Sequence, residues 1–405
     1  MRSTVFAAIV FLIAPSLHAD DWPQFLGPNR DGVSSESGIK AWGPGGPKLI
    51  WSRDVGPGFA GPVIAGERVI LFHRVGAEEI VECLRVDSGK PIWKKSYPTA
   101  FEDDFRKGDG PRATPVISGD KVVTFGADGW LHAFDLASGK KLWGRNLLQE
   151  YKVPPGYFGV GSSPMAVGDR VLVNVGGKGA GIVAFALASG DELWKATSDG
   201  ASYSSPTLAR IDGVTHAVFF TRRGVVLLDP ATGRLRFDMQ WRARIDASVN
   251  AATPLILGDT AFFSTSYDTG ALLLKLRKDG ADKLWDNDEL MTNHYNTCIH
   301  RDGYLYGFHG RQEATPSFRC VDLKAQKVCW EQMRFGCGAL ILAGDKLIVL
   351  TERGELLLVE ASPQAYRELA RAQVFTASPC RAQIALANGR LYARDQKKLS
   401  CFEIK

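Results

Sequence analysis

The sequence contains no run of apolar residues long enough to cross a bilayer as a helix. The longest, Val5 to Ala14, is about half of the ~20 residues required. No segment carries a sustained 3.6-residue apolar stripe, which leaves little room for helices. Cys-x-x-Cys and Cys-Cys pairs are missing, so the spacings of thiol redox centres and Cys-ligated zinc sites are excluded. There is no Gly-x-Ser-x-Gly elbow and no His-Glu-x-x-His. Gly176-Gly-Lys-Gly-Ala-Gly181 lacks the Walker spacing and the following Ser/Thr, and it joins two strand-like runs. The net charge of +5 is spread without a basic run, which does not argue for nucleic acid.

What is present is repetition. Val86-Asp-Ser-Gly-Lys-Pro-Ile-Trp93, Leu136-Ala-Ser-Gly-Lys-Lys-Leu-Trp143, Leu187-Ala-Ser-Gly-Asp-Glu-Leu-Trp194 and Leu323-Lys-Ala-Gln-Lys-Val-Cys-Trp330 spell nearly one phrase. Worn copies end at Phe237 and Trp285, the phrase opens at Trp51, and a degraded copy falls near Leu369. The mean interval of about 45 residues is that of a propeller blade. Each unit reads as four short β-rich runs separated by Gly/Asp/Ser turns, as in Ala113–Ile117, Lys121–Phe125, Trp130–Leu136 and Lys141–Trp143. The expected fold is all-β: an eight-bladed β-propeller of four-stranded antiparallel blades, with seven blades as the alternative. The chain ends in a third strand, Lys398 to Ile404, with no fourth after it. The missing strand stands at the other end as Lys48-Leu-Ile-Trp51, so the ring should close by pairing the terminal strands, removing exposed sheet edges.

The expected organisation is a signal peptide over residues 1–19, an N-terminal arm over 20–46 and the propeller over 47–405. Arg2, the apolar stretch and Ala19 follow the secretory pattern, with no Cys at the cleavage point for a lipid anchor. The expectation is export across the inner membrane, to the periplasm, as a monomer without a transmembrane segment. Seven Cys leave at least one unpaired. Cys320 and Cys329 flank a hairpin turn symmetrically and are the candidate disulfide in an oxidising compartment, the alternative being two small blade-core residues. Cys83 and Cys401 share the strand position of Cys320 and read as core.

The Ser/Thr-Gly-x-x-x-Trp phrase resembles the pyrroloquinoline-quinone-like (PQQ-like) propeller repeat over residues 47–405. That superfamily includes quinoprotein alcohol dehydrogenases and the outer-membrane assembly lipoprotein BamB. Trp22-Pro-Gln-Phe-Leu-Gly-Pro-Asn-Arg-Asp-Gly-Val33, Gly110-Pro-Arg-Ala-Thr-Pro115, Ser202-Tyr-Ser-Ser-Pro206 and Thr351-Glu-Arg-Gly354 look like segments of exported PQQ-like propellers of planctomycete-type bacteria. The resemblance implies the fold and leaves the chemistry open. A vicinal Cys-Cys pair, a recognisable calcium site and a Cys-x-x-Cys-His cytochrome motif are missing relative to the dehydrogenases, and BamB's lipidated Cys is missing too. PQQ and calcium are therefore possible cofactors that no motif requires, and no metal site is expected.

Candidate ligand-binding residues stand where the inner strands begin: Arg112, Thr114, Tyr203, Asn250, His294, Tyr295, Asn296 and Arg381. Converging at one channel mouth, they would suit an anionic or quinone-like ligand, with Arg gripping a carboxylate. Alternatively, Ser, Thr and Asn there satisfy backbone groups in a crowded channel. Glu352 and Arg353 read as solvated turn residues, His300 and His309 as surface residues as readily as ligands. The 97–110 insertion, too long for a hairpin, is a lid or partner surface or else a solvated loop; Tyr157-Phe158 tips a second. The functional expectation is a non-catalytic binding or scaffold module of the cell envelope recognising a protein or polymer. The alternative is a PQQ-dependent alcohol or polyol dehydrogenase.

Overall fold

The computed structural model describes residues 21–405 apart from 106–107, 155, 157 and 246–247; the expected signal peptide and Tyr157 lie outside the described residues. Eight sheets follow one another around a ring. In chain order, blades 1 to 7 occupy 63–98, 116–146, 165–196, 207–240, 255–287, 299–332 and 338–373, and blade 8 combines 385–403 with 48–54. In blades 1 to 7 the four antiparallel strands lie in sequence order from the channel outward, and in blade 8 Lys48–Asp54 takes the outermost place. Among the described residues helix is confined to Leu147–Glu150 and one 3-10 turn, Gln312–Ala314.

The seam is where the terminal strands suggested it. Lys48–Asp54 pairs antiparallel with Lys398–Glu403, with Trp51 opposite Cys401. The largest apolar cluster lies across it, joining Trp51, Leu71, Ile341, Leu391 and Phe402 of blades 8, 1 and 7. Middle strands are sandwiched between neighbouring sheets, so both faces are buried. Gly224–Leu228 is buried at every position, which is why such strands read as continuous apolar runs rather than alternating ones.

The repeated phrase has a physical account. The indole Nε1 of Trp51, Trp93 and Trp143 donates to the carbonyls of Val86, Leu136 and Leu187, each the first residue of the next blade's phrase, at 2.9, 2.9 and 3.1 Å. The phrase glycine makes room for that ring. A Cβ on Gly139 would lie 2.5 Å from the Trp93 indole and one on Gly190 2.6 Å from Trp143, at φ of +70° and +77° that side chains rarely adopt. The residue before the phrase's closing aromatic, or before Ala370 in blade 7, is a β-bulge. Ile50, Ile92, Leu142, Leu193, Arg236, Leu284, Cys329 and Leu369 are each skipped by the pairing register. A bulge on an edge strand increases its twist and blunts edge-to-edge association.

That bulge alters the cysteine expectation. Cys320 stands opposite Trp330 and Cys329 is the bulge residue skipped by the register, yet the two side chains still interact. All seven cysteines are free thiols. Cys83, Cys320 and Cys401 each lie opposite a Trp and are fully buried, small residues that leave space for the indole.

The N-terminal arm does not trail over the surface. It enters the channel from the end that carries the turns between first and second strands, where Asp21 Oδ1 accepts from Gly66 N at 2.9 Å. Trp22 exchanges backbone bonds with Ile64, and Pro23 O accepts from Ile117 N. The guanidinium of Arg30 then reaches the carbonyls of Ser163 and Pro164 at the opposite end of blade 3. Val33–Ser34 returns as a fifth strand, parallel to Gly338–Ala343 of blade 7. Glu36 closes the loop at the turn end, accepting from Gly389 N and pairing with Lys405 Nζ, both at 2.7 Å. Residues 21–36 are thus a loop that plugs the channel and uses the free edges of inner strands that would otherwise be unpaired.

Candidate functional site

At the other end, the segments preceding each inner strand converge. A belt of hydroxyls ties them together. Gly61 N donates to Thr114 Oγ1, Thr114 N to Ser163 Oγ, Ser163 N to Ser205 Oγ, Ser205 N to Thr253 Oγ1 and Thr253 N to Thr297 Oγ1, at 3.0, 2.9, 3.0, 3.3 and 3.0 Å. Each acceptor sits two residues before its inner strand, so one Ser or Thr per blade satisfies the N–H of the blade before it. The belt runs from blade 1 to blade 6; at the matching place blade 8 has Gln383. Thr114 and Asn250 belong to this scaffolding: Asn250 Nδ2 donates to Thr221 O at 2.8 Å and its own carbonyl accepts from Tyr203 N and Ser204 N. Asn296 is similar, its Nδ2 donating to Gly338 O.

Above the plug lies a cavity of about 510 Å³. Phe25 of the arm contributes to its lining, with Phe59, Phe105, Phe158, Tyr203, Tyr267 and Tyr295 supplying aromatic walls and Arg112, Arg311 and Arg381 the cations. Of the residues singled out in the sequence, Arg112, Tyr203, His294, Tyr295 and Arg381 come together around this cavity, whereas Thr114, Asn250 and Asn296 do not line it.

The cations differ in what they have left to offer. Arg112 is the anchor of the 97–110 insertion. It donates to Asp103 Oδ2 at 2.8 Å and to the carbonyls of Gly108 and Gly110 at 3.0 and 3.2 Å, with the rings of Phe59 and Phe101 5.1 and 5.2 Å away. The Asp103 side chain is completely buried, so this part of the insertion is folded onto the mouth rather than solvated. Phe105 stacks near Phe158 at 5.1 Å while remaining 52% exposed. Burial lowers the pKa of Arg112, and the nearby Asp103 offsets part of that shift.

Arg381 is held differently. Its Nε donates to Glu352 Oε1 at 2.9 Å, and Tyr295 OH donates to the same oxygen. Glu352, read from sequence as a solvated turn residue, is therefore the carboxylate that organises this side of the mouth. Burial, followed by the charge of Glu352, pushes the Tyr295 phenol well above its ordinary pKa. His294 Nε2 lies 2.9 Å from Tyr267 OH, and burial lowers its pKa to about 4, so the ring is neutral at neutral pH. Its Nδ1 is buried without a partner. Arg311 sits 4.5 Å over the Tyr267 ring at the exposed edge, with Glu313 3.4 Å from its Nε. His309 Nδ1 and His300 Nε2 accept backbone N–H groups of Thr292 and Gly303, and among the described residues no three His, Cys, Asp or Glu gather as a metal site would need.

Sequence reasoning missed Phe25, Phe59 and Tyr267 as site residues, and it read Phe158 only as a loop tip and Glu352 as a solvated turn residue. Single aromatics in turn-rich segments carry no periodic signal, and Phe25 is brought here only by the path of the arm.

Comparison with known proteins agrees with this architecture. BamB from Moraxella catarrhalis superposes with a TM-score of 0.63 at 16% identity, over 88% of this chain and 97% of that one. Quinohemoprotein alcohol dehydrogenase from Comamonas testosteroni gives 0.68 at 15% identity, over 95% and 80%. At such identities the likeness is one of fold. Among curated proteins, tetrathionate hydrolase of Acidithiobacillus ferrooxidans is 25% identical over 250 residues, 59% of this chain, which spans about half (47%) of that relative's length. The family model described as outer membrane protein assembly factor BamB matches residues 35–204 and 77–332, overlapping stretches that cover most of the ring. On that match the chain belongs to the BamB family of PQQ-like propellers.

Proposed function

We propose that this protein is an exported binding module of the cell envelope that recognises a protein or polymer partner at the aromatic mouth of the channel, without catalysing a reaction. One observation carries the reading. The carboxylates at the cavity are already engaged within the protein, Asp103 with Arg112 and Glu352 with Arg381 and Tyr295, as is the Nε2 of neutral His294 with Tyr267, while the aromatic surface stays open. A general base or nucleophile needs a free, suitably poised group; recognition needs shaped apolar surface with a few oriented polar groups.

The dehydrogenase alternative requires PQQ and calcium. The mouth residues do not fit calcium. No acidic cluster forms among the described residues, and the amide nitrogens of Asn250 and Asn296 are turned to main-chain carbonyls. The curated relative's name supplies a further reading, tetrathionate hydrolysis. Both are tested by titrating the purified protein with PQQ plus calcium, followed by absorbance and thermal shift, and by assaying consumption of tetrathionate. The expected result is no saturation below about 10 μM, equivalent to roughly −7 kcal/mol, and no tetrathionate loss above the blank. Saturable quinone binding that requires calcium, or turnover, overturns the proposal.

A further inference from the structure

The mouth holds one guanidinium whose charged end is unspent. Arg381 is fixed from behind, through its Nε, by Glu352, and its ring neighbour Phe59 lies 6.0 Å away. Among the described residues its two terminal amino groups, Nη1 and Nη2, have no hydrogen-bond partner, yet Arg381 lines the cavity. By contrast, both terminal amino groups of Arg112 are bound to Asp103 and to carbonyls. Two parallel N–H donors on a preoriented guanidinium match the two oxygens of a carboxylate. Around that fork the lining is aromatic and includes Phe59 and Tyr295, the latter tied to the same Glu352 oxygen. Ring edges and faces favour another ring over an aliphatic group of equal area. The volume suits one such ring with its substituent, since ligand cavities begin at about 300 Å³.

We infer that the cavity is a receptor for an aromatic carboxylate, the ring seated against Phe59 and Tyr295 and the acid group held end-on by Nη1 and Nη2 of Arg381. This rests on the binding-module reading and names what the module grips. The chemistry is shared by a free aromatic acid and by a polypeptide ending in an aromatic residue.

Calorimetric titration of the full protein tests it with 2-naphthoate against 2-naphthalenemethanol, which lacks the acid, and cyclohexanecarboxylate, which lacks the ring. The expected result is saturable 2-naphthoate binding at least about tenfold tighter than either control. Arg381→Gln should abolish the preference over the alcohol, with thermal denaturation of the variant showing that it is folded. An acetylated pentapeptide ending in Phe separates the sources. Binding of its free-acid form but not its amide assigns a chain terminus, and failure of both forms beside tight 2-naphthoate assigns a free acid. Equal affinity for acid and alcohol, or a preference that survives Arg381→Gln, overturns the carboxylate inference alone. Absence of binding by all three small probes overturns it together with the use of this cavity for recognition.

Discussion

At the outer rim, Trp93 and Trp143 make the same contact one blade apart, indole over glycine and Nε1 on the carbonyl that opens the next phrase. At the channel mouth the side chains presented to the cavity vary from blade to blade. Blade 2 is preceded by Arg112, blade 4 by Tyr203, blade 6 by His294 and Tyr295, and blade 8 by Arg381. Repetition builds a ring because every joint must transmit the same angle. A binding surface on a ring requires the opposite, positions at which the copies have diverged. The hydroxyl belt, two residues before each inner strand, is the boundary between the two: still repeated from blade 2 to blade 6, and lost at Gln383 beside the most specialised part of the mouth.

Substitution at the rim should have the largest effect on folding. Trp143→Ala removes a ring that is 9% exposed and its bond to Leu187. A loss of about 3–5 kcal/mol is expected from chemical denaturation, with unchanged affinity for mouth ligands wherever the variant is folded. A loss below about 1 kcal/mol would show that the joints are not held by the phrase.

Acidification should act next, and on both regions. Burial lowers the pKa of His132, His294 and His309 to about 4. Because the unfolded chain takes up these protons near 6.5, their contribution is complete above that pH and is lost as pH falls toward 4. Glu79 acts in the opposite sense, since burial raises its pKa to about 7 and its contribution is lost as pH rises from about 4.5 through 7. With three histidines against one carboxyl, the melting temperature should fall between pH 6.5 and 4. A flat or rising profile contradicts the burial assigned to the imidazoles.

Smaller effects should follow at the belt and at the seam. Ser163→Ala strands the N–H of Thr114 and should cost about 1–2 kcal/mol by denaturation; a neutral outcome would mean that water replaces the hydroxyl. Lys48→Ala breaks a 2.7 Å ion pair with Glu403 across the closing strands, but both side chains are exposed. The change should stay below about 0.5 kcal/mol, because closure depends on the main-chain ladder and the Trp51 cluster. A larger loss would assign the seam to charge.

Blade number and closure were legible in the sequence because aromatic spacing and strand order are periodic, one-dimensional signals. Cys329 shows where that reading stops. Symmetry about the hairpin turn placed it opposite Cys320, but a one-residue bulge puts Trp330 in that backbone register while the Cys329 side chain stays beside Cys320. Glu352 shows the same limit at the mouth. Nothing local distinguishes it from a solvated hairpin residue, and its role comes from Tyr295 and Arg381, which approach from blades on either side. The arm is the extreme case, since its path is set by backbone bonds to Ile64, Ile117 and Leu342 that no side-chain pattern announces.

The proposed function places recognition where the repeats diverge. Phe105 and Ile245, both about half exposed, line the cavity, whereas Leu142 is a comparably exposed residue of the outer rim. Aspartate substitutions at these three positions should be compared by saturation binding of the labelled protein to cell-envelope preparations from its host. The predicted result is a loss of at least about tenfold in affinity for Phe105→Asp and Ile245→Asp, with Leu142→Asp unchanged. Equal losses at all three, or a loss at Leu142 alone, would contradict it.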